Sequence, residues 1–213
     1  MRNSLRGVFM ALSILIAAPV AHAEGGFFIG GQSGRINLSD SGFSDENTDI
    51  QAFGLGYRWQ AGRIVQVGFE VGSGKLGTLK DEYAYSSFDY EYSARSTVKT
   101  SYVYAGANAR FQFGAESRWF AITRLGYMGY EERLNFNYEE YDAWYDTYYS
   151  YSESGKDSGG GVYFGVGIGV DITRNLNINL QHSGYAYSPS IDDGYDDGFY
   201  TASSTALGLE VRF

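Results

Sequence analysis

The chain has no cysteine, only 2 prolines and 2 histidines, and no apolar run long enough for a membrane-spanning helix. Each shortage excludes something. Small secreted domains without a large core usually rely on disulfides, so a chain without cysteine needs another way to close its structure. A helix crosses a bilayer with about 20 apolar residues. Any insertion of this chain into a membrane must therefore use strands. The 3.6-residue periodicity of an amphipathic helix is also missing. A basic face is missing too: the formal charge is -9, which excludes nucleic acid as a partner, since binding a polyanion requires clustered Lys and Arg.

What is abundant points the other way. The 213 residues include 29 Gly, 20 Tyr and 14 Phe, a composition suited to many twisted strands. Without disulfides, a closed and fully paired sheet is the natural solution. The mean hydropathy of -0.29 fits a soluble protein, and equally a barrel that hides every second residue in its lumen. At the amino terminus Arg2 and Arg6 precede the apolar run Val8 to Ala18, which leads to Ala21-His22-Ala23. These are the marks of a secretory signal peptide, with cleavage expected after Ala23 and a single domain over 24–213. Two destinations follow: soluble and secreted, or the outer membrane.

The mature sequence alternates. Ile50 to Trp59 sets Phe53, Leu55, Tyr57 and Trp59 on one face, turns at Gln60 to Arg63, and returns with Val65, Val67, Phe69 and Val71 opposite Gln66, Gly68, Glu70 and Gly72. Val98 to Phe111 and Trp119 to Tyr130 form a second hairpin around Gln112 to Ser117. Val162 to Asp171 and Leu176 to Gln181 form a third around Thr173-Arg174-Asn175. Thr205 to Phe213 closes the chain with Leu207, Leu209, Val211 and Phe213 on one face and Gly208, Glu210 and Arg212 on the other. With Phe27 to Asn37, whose phase is ambiguous because Phe27, Phe28 and Ile29 are adjacent, the count is eight strands. Each is about ten residues, the length of a tilted transmembrane strand. Most of the acids fall in four blocks between these segments, which read as four long extracellular loops opposite three short periplasmic turns.

Specific motifs sharpen the picture. Gly56-Tyr57-Arg58-Trp59 with Val67-Gly68-Phe69-Glu70, Arg124-Leu125-Gly126-Tyr127, Gly165 to Thr173, and Leu207 to Phe213 resemble the outer-membrane protein A-like family of small barrels, which includes opacity-type proteins. The resemblance implies an all-β fold, an eight-stranded antiparallel transmembrane barrel in the bacterial outer membrane, surrounded by lipid and lipopolysaccharide. It also implies assembly by the barrel-insertion machinery, which would read Leu207, Leu209, Val211 and Phe213. It implies little about activity, because the fold hosts many tasks.

Function has to be read from particular residues. Glu70 and Arg124 lie at similar distances from their turns and point inward, so they should pair in a polar plug. Arg110 and Glu210 are expected to form a second layer nearer the periplasm, with Arg212 joining the network. The plug reads as a structural filling or as a gate for ions in a narrow channel. Gly165, Gly167 and Gly169 alternate along a strand and do not open a helix, so they make no phosphate loop; they should leave lumen space for tyrosine or arginine side chains from other strands. His182-Ser183-Gly184 departs from the His-x-Ser-Asn motif of lipid A deacylases, and neighbouring strand residues point to opposite faces, so a lipid A-modifying activity is the weaker alternative. No cofactor is implied, and Asp192 to Gly198 lacks the full ligand spacing of a calcium loop. The remaining candidates are the loops, where Tyr141, Trp144, Tyr145, Tyr148, Tyr149 and Tyr195 are interleaved with acids. They read either as interface anchors on solvated loops or as contacts for a host or cell-surface ligand. Lys75, Lys80, Arg95, Lys99 and Arg133, near the outer strand ends, are placed to meet lipopolysaccharide phosphates or are simply solvated.

Overall fold

The structure, a computed structural model, describes residues 25–38, 47–188 and 200–213. The expected signal peptide lies outside them. Eight strands follow one another: β1 (Gly25–Leu38), β2 (Asn47–Gln60), β3 (Val65–Ser86), β4 (Tyr90–Gln112), β5 (Trp119–Asp142), β6 (Thr147–Asp171), β7 (Leu176–Ser188) and β8 (Tyr200–Arg212). Each pairs antiparallel with the next, and β8 returns to β1 to close the barrel. Closure follows from the solvent: a bilayer core offers no water to an open sheet edge, so every strand must be paired on both sides.

The seam is finished by the last residue. Beyond the Phe28↔Arg212 pair, the Phe213 N–H donates to the Phe27 carbonyl at 2.9 Å. Any side chain at Gly26 would collide with the carbonyl oxygen of Phe213, so a glycine is required where the two chain ends approach. The short turns sit where the sequence placed them. At the last, Thr173 Oγ1 accepts from the N–H groups of Asn175 and Leu176 at 3.2 and 3.0 Å.

The alternation sorts the wall into two faces. Phe53, Leu55, Phe69, Val71, Leu125, Phe164, Leu207 and Leu209 are exposed on the outside, where lipid covers them. The ambiguous first strand takes the phase with Phe27 outside and Phe28 buried inside. Small outward residues, Gly31, Ser73, Ser101 and Gly129, leave a groove of about 1020 Å³ that runs diagonally over the outer wall beside Phe53, Val103 and Leu209.

Two of the four expected loops are strands instead. β3 to β6 run for 22 to 25 residues, against 13 or 14 for β1, β2, β7 and β8. At about 3.3 Å per residue, some ten extra residues add roughly 30 Å of strand. The four long strands therefore continue past the barrel rim as one hydrogen-bonded sheet. Its hairpins turn at residues 87–89 and 143–146, where Asp146 takes a positive φ of 47°. β2 stops pairing with β3 at Lys75, and β7 with β6 at Gly160. Just above Lys75 a bulge at Gly77, with φ 96°, shifts β3 by one residue, so its outward side chains change from odd to even numbers. Thr48 Oγ1 steadies this step, accepting from the Thr78 N–H at 3.1 Å.

Candidate functional site

Inside the barrel the periplasmic half is polar. Arg124 Nε donates to Glu70 Oε1 at 2.6 Å, and Tyr163 donates to the same oxygen at 2.8 Å. Asn108 donates to the other Glu70 oxygen at 3.1 Å and accepts from Arg58 Nε at 2.5 Å. The Arg58 guanidinium then meets Glu210 with two parallel bonds of 2.7 and 2.8 Å, the strongest geometry an Arg–carboxylate pair can take. Asn177 donates to Glu210, Asn179 to Asn177, Gln181 to Asn179, and Arg124 to Gln181. The network therefore returns to its start as a ring of hydrogen bonds around the lumen.

Arg110 and Glu210, expected together in a layer nearer the periplasm, take different partners. Arg110 reaches Asp171 at 2.6 Å, and Arg212 shares that carboxylate at 2.6 Å, while Glu210 belongs to Arg58. The reason is the stagger of the barrel, which sets which inward side chains meet across the lumen and leaves no trace in one strand's pattern. Arg58 and Asp171 are thus the two charged network members that sequence reasoning passed over, beside the neutral Asn108, Tyr163, Asn177, Asn179 and Gln181. Their inward phase was legible: Asp171 alternates with Val170 and Ile172, and Arg58 with Tyr57 and Trp59. Arg58 and Arg110 also lie over the rings of Phe28 and Phe120, each 4.0 Å from the centroid.

Above this layer the lumen becomes aromatic and then apolar. Tyr102, Tyr104, Tyr163 and Tyr185 pack edge to face or stacked with centroids 5.3 to 6.0 Å apart. Inward glycines make their room: a side chain at Gly54 or Gly72 would strike Tyr104, and one at Gly106 or Gly126 would strike Tyr163. Gly165, Gly167 and Gly169 act likewise, but beside Ser183, Gln181 and Phe120 rather than tyrosine or arginine. Ile36, Ile50, Leu76 and Met128, at most 1 % exposed, seal the extracellular end. The void left between Arg58, Glu70, Tyr104 and Arg124 is about 40 Å³, room for no more than a few waters.

His182 and Ser183 stand on opposite faces of the wall. His182 is exposed outside and its Nδ1 meets Thr205 Oγ1 at 3.0 Å, whereas Ser183 is buried in the lumen. No base–nucleophile contact forms between them.

The protruding sheet carries the other candidates. Tyr141, Tyr148 and Tyr149 lie on the β5–β6 hairpin and Trp144 and Tyr145 at its tip, all exposed; Tyr195 lies outside the described residues. The register separates two faces. Lys75, Lys80, Arg95, Lys99, Arg133 and Lys156 all fall on the outer one, in line with the lipid-facing wall. There Glu82 pairs with Arg95 at 2.7 Å, and Glu131 with Arg133 and Lys156 at 2.8 and 2.7 Å. Those two cations hold the Glu131 carboxyl below its usual pKa.

The inner face continues the lumen side of the wall and is built differently. Tyr83, Tyr92, Tyr138 and Tyr149, one from each strand, form a line of rings with successive centroids 5.5, 5.3 and 6.0 Å apart. Carboxylates flank it. Tyr138 donates to Glu140, and Tyr151 to Glu153 at 2.8 Å; the neighbouring carboxylates raise both phenol pKa values. Burial likewise raises Glu132, which accepts from Thr100 at 3.0 Å.

Comparison with known proteins agrees with the architecture. No curated protein matches the chain. Among solved structures, Ail, the attachment invasion locus protein of Yersinia pestis, is similar at 16% identity over 91% of this chain and 100% of its own, with a TM-score of 0.47. OprG from Pseudomonas aeruginosa is similar at 10% identity over 91% and 98%, with a TM-score of 0.47. Neisserial surface protein A is similar at 11% identity over 88% and 97%, with a TM-score of 0.44. The model of the outer membrane protein beta-barrel domain matches residues 7–213, so the chain belongs to that family and resides in the bacterial outer membrane.

Proposed function

We propose that this protein is a non-enzymatic surface-interaction barrel, adhesin-like, in which the barrel is an anchor and the β3–β6 sheet is the working part. One observation carries the reading: the exposed Tyr and Trp side chains sit on a continuous hydrogen-bonded sheet beyond the rim, not on loose loops. A sheet holds them without the ordering cost that a mobile loop meets on binding. Tyrosine also supplies a large contact area with few rotatable bonds. The filled lumen supports the same reading against a narrow channel, since the void beside Arg58, Glu70, Tyr104 and Arg124 is only about 40 Å³ and Ile36, Ile50, Leu76 and Met128 are packed above it. The separation of His182 from Ser183 speaks against lipid A hydrolysis.

The outer wall serves the anchor. Its diagonal groove can take acyl chains, and the outer-face cations at the rim can meet lipopolysaccharide phosphates. We assign residues 1–23 to a cleaved signal peptide and the terminal row Leu207, Leu209, Val211 and Phe213 to recognition by the insertion machinery. The test is a binding comparison on whole cells between intact protein and a version with Tyr138 to Ser158 replaced by a short turn. Loss of binding at equal outer-membrane levels is expected; retained binding would leave a purely structural role.

A further inference from the structure

The two faces of the protruding sheet divide the charges between them. Among residues 75–99 and 131–158, the part of β3–β6 at and beyond the rim, every Lys and Arg projects from the outer face, while Asp81, Glu132, Glu140, Asp142, Glu153 and Asp157 share the inner face with the line of tyrosines. Alternation along a strand fixes the face of each residue, so this division does not depend on side-chain rotamers. The outer face balances its carboxylates with cations of its own; the inner face has no cation at all.

Aromatic faces bounded by carboxylates attract cations twice, through the ring quadrupole and through the charge. Four tyrosines spaced across four strands, which neighbour at about 4.8 Å, span the width of an extended peptide with several basic side chains. A bare divalent cation fits less well, because among the described residues no three acidic or histidine side chains converge on one point. We infer that the inner face of the β3–β6 sheet binds a Lys- and Arg-rich polypeptide segment of a partner protein, with the Tyr83–Tyr92–Tyr138–Tyr149 line stacking under its cationic side chains and the flanking carboxylates pairing with them. The inference rests on the surface-interaction reading above and supplies the chemistry of the partner.

Charge placement distinguishes this site from a general attraction to an acidic protein. The intact protein is placed in nanodiscs of zwitterionic lipid and titrated at low salt with a fluorescent octa-arginine peptide. Two triple variants remove the same charge: Asp81→Asn/Glu140→Gln/Glu153→Gln on the inner face and Glu82→Gln/Glu91→Gln/Glu139→Gln on the outer. The inner triple should weaken the peptide by about tenfold or more, with a shallower salt dependence, and the outer triple by less than about twofold. Tyr83→Leu/Tyr149→Leu, which keeps the charge, should also weaken it several-fold. Equal loss in both triples, or no binding by the intact protein at low salt, overturns the inference. So does a neutral oligosaccharide that binds the inner face equally well before and after the inner triple substitution. If whole-cell binding disappears when the hairpin is shortened but is untouched by the inner triple, the partner chemistry fails and the surface role stands. Retained binding by the shortened hairpin removes the surface role itself.

Discussion

The lumen and the protruding sheet use the same residue types, carboxylates, arginines and tyrosines, with opposite outcomes. In the lumen each carboxylate is matched: Glu70 with Arg124, Glu210 with Arg58, Asp171 with both Arg110 and Arg212. On the sheet the cations and most of the tyrosines are turned to different faces, and the rings stay exposed or half-buried. Buried groups that satisfy one another have nothing left to offer a partner. Exposed groups segregated by face do. The comparison locates stability inside the barrel and interaction outside it.

The largest effect should come from breaking a lumen pair. Arg58→Ala leaves Glu210 without its bidentate partner beneath a sealed lumen, and removal of one member of a buried pair typically costs about 3–5 kcal/mol. Glu70→Gln with Arg124→Ala should also lower heat stability in detergent, measured by thermal unfolding. Unchanged unfolding temperatures in these variants would mean that the lumen network does not hold the barrel. Next in size is deletion of Phe213, which removes the Phe213–Phe27 bond at the seam; outer-membrane levels should fall, as quantified by membrane fractionation. Normal levels would separate the terminal residue from insertion.

The sheet should behave in the reverse way. Shortening Tyr138 to Ser158 should leave the unfolding temperature of the barrel nearly unchanged while abolishing surface binding, and a large loss of stability there would erase the contrast. The smallest effect is one of pH. Because Lys156 and Arg133 depress Glu131 in the folded state, its contribution to the outer face is present above the ordinary Glu pKa of about 4.3 and is lost only as the pH falls through the lowered folded value. Glu131→Gln should therefore remove a slight acid-side dependence of amide exchange at β5–β6, one that vanishes in high salt because the pairs are solvent-exposed.

Much of this division was legible in the sequence, for physical reasons that differ by region. Within the bilayer one face must be apolar, so Leu207, Leu209, Val67 and Phe69 reveal strand, phase and hairpin at once. Glu70 and Arg124 could be put at one level because each can be counted from its own turn. The partners of Arg110 and Glu210 could not, since barrel stagger is a property of all eight strands together. The sheet was read as loops for another reason: beyond the membrane neither face has to be apolar. Tyr83, Glu140 or Ser152 then alternate without an apolar signature, and acidity resembles solvation. Tyrosines on successive strands, Tyr92, Tyr138 and Tyr149, were the available signal, but their alignment needs the register.

The most direct test of a closed barrel with its work outside is planar-bilayer conductance of the intact protein. The account predicts no current above the bare bilayer, because Ile36, Ile50, Leu76 and Met128 seal one end and the Arg–carboxylate network fills the other. Reproducible unitary conductance steps would contradict it and move the function from the sheet back into the lumen.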